Sequence, residues 1–354
     1  MNGPASQNLR SYTDYIRFKR LFLFVMFVLT MVIALVAITC GSSGLTISEV
    51  IRTLLGKGAE KSNIIVFNLR LPRTVTAIVA GIGLAVVGCV MQSILQNPLA
   101  SSSTLGVSQG AAFGAAFAII VLDSGMQSQT LDGVAISNPY TTSMCAFVGS
   151  MFSTLVVLGL SRIRKVTPQT MILSGVALSS LFSGGTTLLQ YFAEDVKVAA
   201  VVFWTFGSLG STSWREIGIM AIVVGAAVIY FMLNRWSYNA LQSGEATAKG
   251  LGVNTNRLLL GSMVVCALTS SVIVSYIGII NFIGLVAPHL MRRVIGSDYR
   301  YLLPASALMG SVLLLLSDTV ARLVVQPIVL PIGAITSFLG APLFLYLIFK
   351  GGKR

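Results

Sequence analysis

Apolar runs long enough to cross hydrocarbon alternate with short polar segments along nearly the whole chain. Measured against the roughly 20 residues of a helical crossing, the pattern predicts spans near 21–40, 74–95, 105–122, 142–160, 170–192, 216–234, 257–277, 280–292, 303–324 and 332–349. The eighth is short enough to be a half-helix. The stretch from Asn68 to Gly114 organises the rest: it opens on the basic, proline-broken Arg70, Pro72 and Arg73, runs uncharged to Leu95, breaks at Gln96-Asn97-Pro98 and resumes rich in glycine and alanine. Polar backbone between two lipid-length runs must be buried in protein or line a water path. Asn97 and Pro98 are therefore candidates for a gate.

Composition agrees with this pattern. Hydrophobic residues make up 55% of the 354 and charged residues 10%, with a mean hydropathy of +0.86, against roughly 25% charged in a soluble domain. The fold class expected is an all-α integral membrane protein, a compact bundle of about ten transmembrane helices. The net charge of +13 does not point to nucleic acid, because the basic residues sit in short clusters between apolar runs rather than along one face.

The polar lead Met1–Arg20 is too long for a secretory signal, and Leu21–Cys40 lacks a cleavage pattern, so it reads as a retained first span. Residues 21–350 then form one transmembrane domain between a cytoplasmic lead, 1–20, and a cytoplasmic tail, 351–354. An even number of spans puts both termini on one side. Placing them inside assigns 16 of the 24 Lys and Arg residues to the cytoplasm, as the positive-inside rule requires. Arg52, Lys57, Lys61, Arg70, Arg73, Lys197, Arg215 and Arg322 then fall outside. Arg322 follows Asp318 by four residues, helical spacing for an ion pair. A ring of outward cations would suit an acidic soluble partner.

Gly81, Gly83, Ala85 and Gly88, and again Gly106, Gly110, Ala111 and Gly114, let membrane helices approach closely. No G-x-x-x-x-G-K-[ST] sequence occurs, so nucleotide hydrolysis by a P-loop must come from another subunit. Cys40, Cys89, Cys145 and Cys266 fall in apolar runs without a close-spaced pair, which indicates neither a metal site nor a disulfide frame. No cofactor or catalytic set is expected. The inside loop 237–256 alternates apolar and polar residues in a pattern for short amphipathic helices, interrupted at Gly244 and closed by Gly250 and Gly252. Such elements lie where a partner can grip them.

LRLPRT, GCVMQSILQNPLASSSTLGVSQGAAFG, ALQSGEATAKGLGV, GIINFIGLVAPHLMRRVIGSDYRYLLP, SDTVAR and LPIGAITSFLGAPLFLYLI occur in that order from about residue 20 to 350. Together they resemble the FecCD-type permeases of bacterial ABC importers, which take up ferric siderophores, haem and cobalamin. The resemblance implies a type II importer permease in the bacterial or archaeal cytoplasmic membrane. Two copies, in a homodimer or a heterodimer, surround one pathway in the lipid, with two ATPase subunits inside and one substrate-binding protein outside. It implies docking of that protein by Arg70, Arg73 and Arg322, an inner gate at Asn97, Leu99 and Thr167, and an ATPase-coupling loop containing Leu241, Gly244, Glu245, Ala248, Gly250, Leu251, Gly252 and Val253. A ferric siderophore is the cargo expected first, with haem or cobalamin as alternatives.

The chain departs from the family pattern at Val329, where an acidic residue commonly precedes Leu-Pro-Val-Gly. Its one histidine, His289, reads as a structural residue at a helix end rather than a haem ligand, since no second ligand stands near it in sequence. A secondary transporter would place an ionisable residue near the midplane, whereas Asp318 and Arg322 lie toward the outer end of their span. An intramembrane enzyme would need converging ligands or a nucleophile and base, and the spans offer none.

Overall fold

The computed structural model describes residues 4–41, 46–124, 129–130, 133–134, 139–163 and 168–351. Its helices are, in order, α1 (Pro4–Thr39), α2 (Ile47–Leu54), α3 (Glu60–Asn63), α4 (Leu71–Ile94), α5 (Val107–Ile120), α6 (Pro139–Ile163), α7 (Pro168–Tyr191) and α8 (Asp195–Phe206). They continue with α9 (Trp214–Leu233), α10 (Arg235–Gln242), α11 (Glu245–Gly250), α12 (Thr255–Ile277), α13 (Ile283–Ile295), α14 (Tyr299–Leu323) and α15 (Ile332–Gly351). The described strand structure is a two-residue antiparallel pairing of Gln129–Thr130 with Gly133–Val134.

Each of the ten expected spans falls on a helix. Among the described residues seven helical segments are long and apolar enough to cross a membrane, and Val107–Ile120 and Ile332–Tyr346 are apolar but shorter. The eighth expected span is α13, with 13 residues. A helix of that length rises about 20 Å, short of a hydrocarbon core of roughly 30 Å. The 12-residue α8 was not foreseen. It lies in the segment between the expected spans 170–192 and 216–234, which the hydropathy pattern reads as an outside connection carrying Lys197.

α4 is the centre of the bundle. A π-helical turn, Ile64–Arg70, joins it to α3, so Glu60–Ile94 forms one continuous rod with 78% of its apolar window buried, against 11% for α7. The wider turn ends where Pro72, lacking an N–H, would have left a gap in an α ladder. Small residues bring the rods together: a Cβ on Gly81 would lie 2.6 Å from the Gly310 carbonyl oxygen, and one on Gly88 would collide with the Gly284 backbone. α4 thus packs at backbone distance on both α14 and α13. α5 packs in the same way on α6, through Gly110 and Gly114.

Candidate functional site

One end of the bundle carries α10 and α11. Gly244, with φ 104°, and Gly252, with φ 83°, turn the corners before and after α11, in backbone conformations that side chains disfavour. Around those corners the residues divide into buried and exposed positions. Leu241 and Ala248 are buried in the core and Val253 packs against it, whereas Glu245, Gly250, Leu251 and Gly252 are exposed, Leu251 by 68%. Glu245 pairs with Lys249 at 2.8 Å, and that neighbour holds its carboxyl below the usual range. Of the eight residues of the expected coupling loop, Leu241 and Ala248 lie on the packing side. Helical periodicity turns them inward.

α10 is fastened to the bundle by a polar network that the motifs did not reveal. Asn239 Nδ2 donates to Asp298 Oδ1 at 3.0 Å, while Asn239 Oδ1 accepts from the Tyr299 amide at 2.9 Å. Asp298 is the N-cap of α14, where its side chain accepts from the Arg300 amide. Gln242 Nε2 donates to the Ser297 carbonyl at 2.8 Å. The fully buried Tyr299 hydroxyl then donates to the Cys89 carbonyl of α4 at 2.9 Å. One turn further along α4, Gln92 Oε1 accepts from Arg292 Nη1 at 3.0 Å. Asn239 and Tyr299 lie sixty residues apart in sequence, so neither motif pointed to the other.

The polar break after α4 lies at this same end. Gln96 has φ 47°, and Asn97 Oδ1 accepts from the Leu99 amide at 2.8 Å, an Asx turn that satisfies backbone where the helix stops. The Leu99 side chain is 47% exposed. Gln96, Asn97 and Pro98 share a cavity of about 400 Å³ with Leu241, Gln242 and Gly244 of the α10–α11 elements and with Tyr299. The break and the loop, 140 residues apart, thus form the walls of one space. Thr167 lies outside the described residues.

The opposite end gathers Arg70, Arg73 and Arg322, but not as a ring of free cations. Arg70 is 7% exposed and donates through Nη1 to the carbonyls of Ile38 and Thr39 at 2.7 and 2.9 Å. Arg322 donates to the Cys40 and Ala37 carbonyls at 2.7 and 3.0 Å. Both cap the end of α1, where carbonyls lack helical partners and the dipole favours positive charge. Asp318, 1% exposed, accepts from Arg73 Nε at 2.8 Å and from Arg322 Nε at 2.9 Å. The expected Asp318–Arg322 spacing is an ion pair. Arg73, 245 residues away, completes it.

His289 packs edge-on against Phe344 at 6.0 Å. No group of three His, Cys, Asp or Glu side chains placed to hold a metal occurs among the described residues. Val329 is 48% exposed.

Residues 29–350 match the model of the FecCD transport family. Over 345 residues, 98% of this chain and 99% of the relative, the sequence is 50% identical to a Methanocaldococcus jannaschii protein named as an ABC transporter permease. It is 36% identical to the hemin transport system permease protein of Yersinia pestis, over 80% of this chain and 82% of the relative. Identity to an Fe(3+)-citrate import system permease protein of Bacillus subtilis is 32%, over 93% and 95%. A solved structure described as a metal-chelate type ABC transporter in an inward-facing conformation superposes with a TM-score of 0.80 at 29% identity, covering 93% of this chain and 99% of that one. With a helical bundle throughout its described residues, a cavity joining the α4 break to α10–α11 and no P-loop, the chain belongs to the FecCD transport family of multi-pass membrane permeases, a transport subunit whose ATPase is a separate protein.

Proposed function

We propose that this chain is the permease subunit of an ATP-driven importer that carries a metal chelate, with a ferric siderophore as first choice, across the cytoplasmic membrane. The supporting observation is the shared cavity: the polar break at Gln96-Asn97-Pro98 and the α10–α11 elements wall one space. A force applied to the exposed α11 surface therefore has a short path to the point where α4 stops. In this reading α10 and α11 receive one ATPase, Asn97 and Leu99 with Thr167 form the inner gate, and both termini are cytoplasmic. Two copies surround the pathway. α7, the least buried candidate span, supports that arrangement: beside exposed Leu181 and Leu188 it carries exposed Ser180, Ser183, Gly184 and Thr187 at helical spacing, small and hydroxyl-bearing positions that let a second copy approach closely.

A binding protein docks at the Asp318 end. Two guanidinium groups hold the one carboxylate there and Arg70 adds a third cation on the α1 carbonyls, which leaves excess positive charge to attract acidic side chains even though the arginines are largely covered. The buried Asp318 is held by two arginines and stands at one end of its helix, a poor position for a proton-coupled carrier. The relatives named for hemin and for Fe(3+)-citrate keep haem beside ferric chelates as cargo. The test is ATP-driven uptake into proteoliposomes containing this chain, its cognate ATPase and binding protein, offered ferric siderophore, haem and cobalamin separately. ATP-dependent accumulation of one chelate is the expected result. Uptake driven equally well by an ion gradient without the ATPase would refute the reading.

A further inference from the structure

Lys19 is only 3% exposed, and among the described residues no carboxylate or other oxygen accepts from its ammonium. Instead Nζ lies 4.2 Å from the centre of the Tyr15 ring and 5.1 Å from that of Tyr301. Other covered cations are provided for differently: Arg73 and Arg322 share Asp318, and Arg292 donates to Gln92. Ring faces attract an ammonium but accept none of its three N–H donors in the strong way an oxygen does. Among the described residues this ammonium meets no anion, and its donors stay open to one.

The surroundings extend the pattern. Arg300 lies 5.6 Å from the same Tyr301 ring and 5.0 Å from the Trp236 ring, and Arg235 lies 5.9 Å from Trp236. Rings and cations therefore alternate from α1, across the start of α14, to α10. Asp298 partly neutralises Arg300, at 2.7 Å. Arg235 donates to the Met232 carbonyl and pairs with no carboxylate among the described residues. Trp236 is 58% exposed.

The depth of the row identifies the anion. Beside Lys19, Phe18 and Leu21 are exposed, and Phe24, Val25, Phe27 and Val28 continue an exposed apolar flank along α1. Hydrocarbon thus begins within a turn of Lys19, and an exposed tryptophan beside arginines marks the interfacial level. A ligand reaching Lys19 along that flank has an apolar body and an anionic head. We propose that the row of Lys19, Arg300, Trp236 and Arg235 binds the phosphate of an anionic phospholipid headgroup, with Lys19 as the principal cation. The lipid would bridge α1 to α10. This inference rests on the helices crossing a bilayer and not on the cargo proposed above.

The test uses the full chain with Trp204→Phe and Trp214→Phe, leaving Trp236 as the one tryptophan, in vesicles of phosphatidylcholine. Brominated phosphatidylglycerol is titrated against brominated phosphatidylcholine, and quenching of Trp236 is read. The expected result is a preference of roughly fivefold or more for the anionic lipid, kept by Lys19→Arg and lost in Lys19→Gln. Equal quenching curves for the two lipids in the unsubstituted site would overturn the proposal, and that comparison needs no Lys19 variant, so a variant that fails to fold leaves it decidable. Loss of the preference on adding millimolar inorganic phosphate would assign the site to a free anion. Loss on adding the cognate ATPase would assign it to that subunit's surface. Either result overturns the lipid assignment.

Discussion

Tyr299, at the start of α14, donates its hydroxyl to the carbonyl of Cys89 in α4 at 2.9 Å, and through its amide it is held by Asn239 of α10 at 2.9 Å. A single buried residue therefore touches both the surface helix and the rod that ends at the Gln96-Asn97-Pro98 break. Tyr299→Phe keeps the ring and removes the donor, a loss of about 1 kcal/mol for one hydrogen bond. The expected outcome is an assembled complex that hydrolyses ATP but moves less cargo per ATP, with Asn239→Ala acting in the same direction. The ratio of cargo transported to ATP hydrolysed is the measurement. A purely structural role would lower both rates together.

Leu251 and Ala248 lie three residues apart, yet Leu251 is exposed and Ala248 fully buried. Leu251→Asp should leave folding intact, since the side chain is already exposed, and should abolish co-purification of the ATPase. Ala248→Asp buries a carboxylate without a partner and should cost several kcal/mol of stability. Thermal unfolding of the isolated chain separates the two outcomes from a pull-down with the ATPase.

Leu99 presents an exposed side chain beside the Asn97 turn. Leu99→Ala should widen the constriction and raise passive leak of chelate from proteoliposomes without ATP. Asn97→Ala removes the acceptor for the Leu99 amide, and its leak should rise as well because the turn loosens. Unchanged leak in both, with assembly intact, would move the gate elsewhere.

Asp318→Asn removes the one carboxylate between Arg73 and Arg322. Breaking a buried pair from one side costs about 3 to 5 kcal/mol, so a clear drop in the melting temperature of the isolated chain is expected. Arg73→Glu should show that loss and, in addition, slower association with the binding protein at low salt, where screening is weakest. Equal association rates for Arg73→Glu and Asp318→Asn across a salt series would confine the cluster to a role in folding.

Gly88→Ala tests the packing of α4 on α13, where a Cβ would collide with the Gly284 backbone. Backbone has no rotamer to yield, so the helices must separate, a loss of about 1 to 3 kcal/mol or more. Gly250→Ala, where a Cβ meets open space, is the control and should be neutral in thermal unfolding.

Hydropathy alone determined the class, the place of ten spans that each fall on a helix and the shortness of the eighth, because lipid imposes a length and an apolar composition on any helix that crosses it. The amphipathic pattern of 237–256 likewise gave α10 and α11, since periodicity is a local property and the glycines at 244 and 252 mark their ends. What the sequence left open depends on distance in space. Arg70 and Arg322 read as outward cations, yet the end of α1 turns their donors onto its last carbonyls. Asp318 had one visible partner at helical spacing and a second that only the packing of α4 on α14 supplied. Asn239, Tyr299 and Cys89 carry no pattern at all in one dimension: a side chain's hydrogen-bond partner is fixed by where tertiary packing places a carbonyl, and that is decided by how closely the small residues of α4 let its neighbours approach.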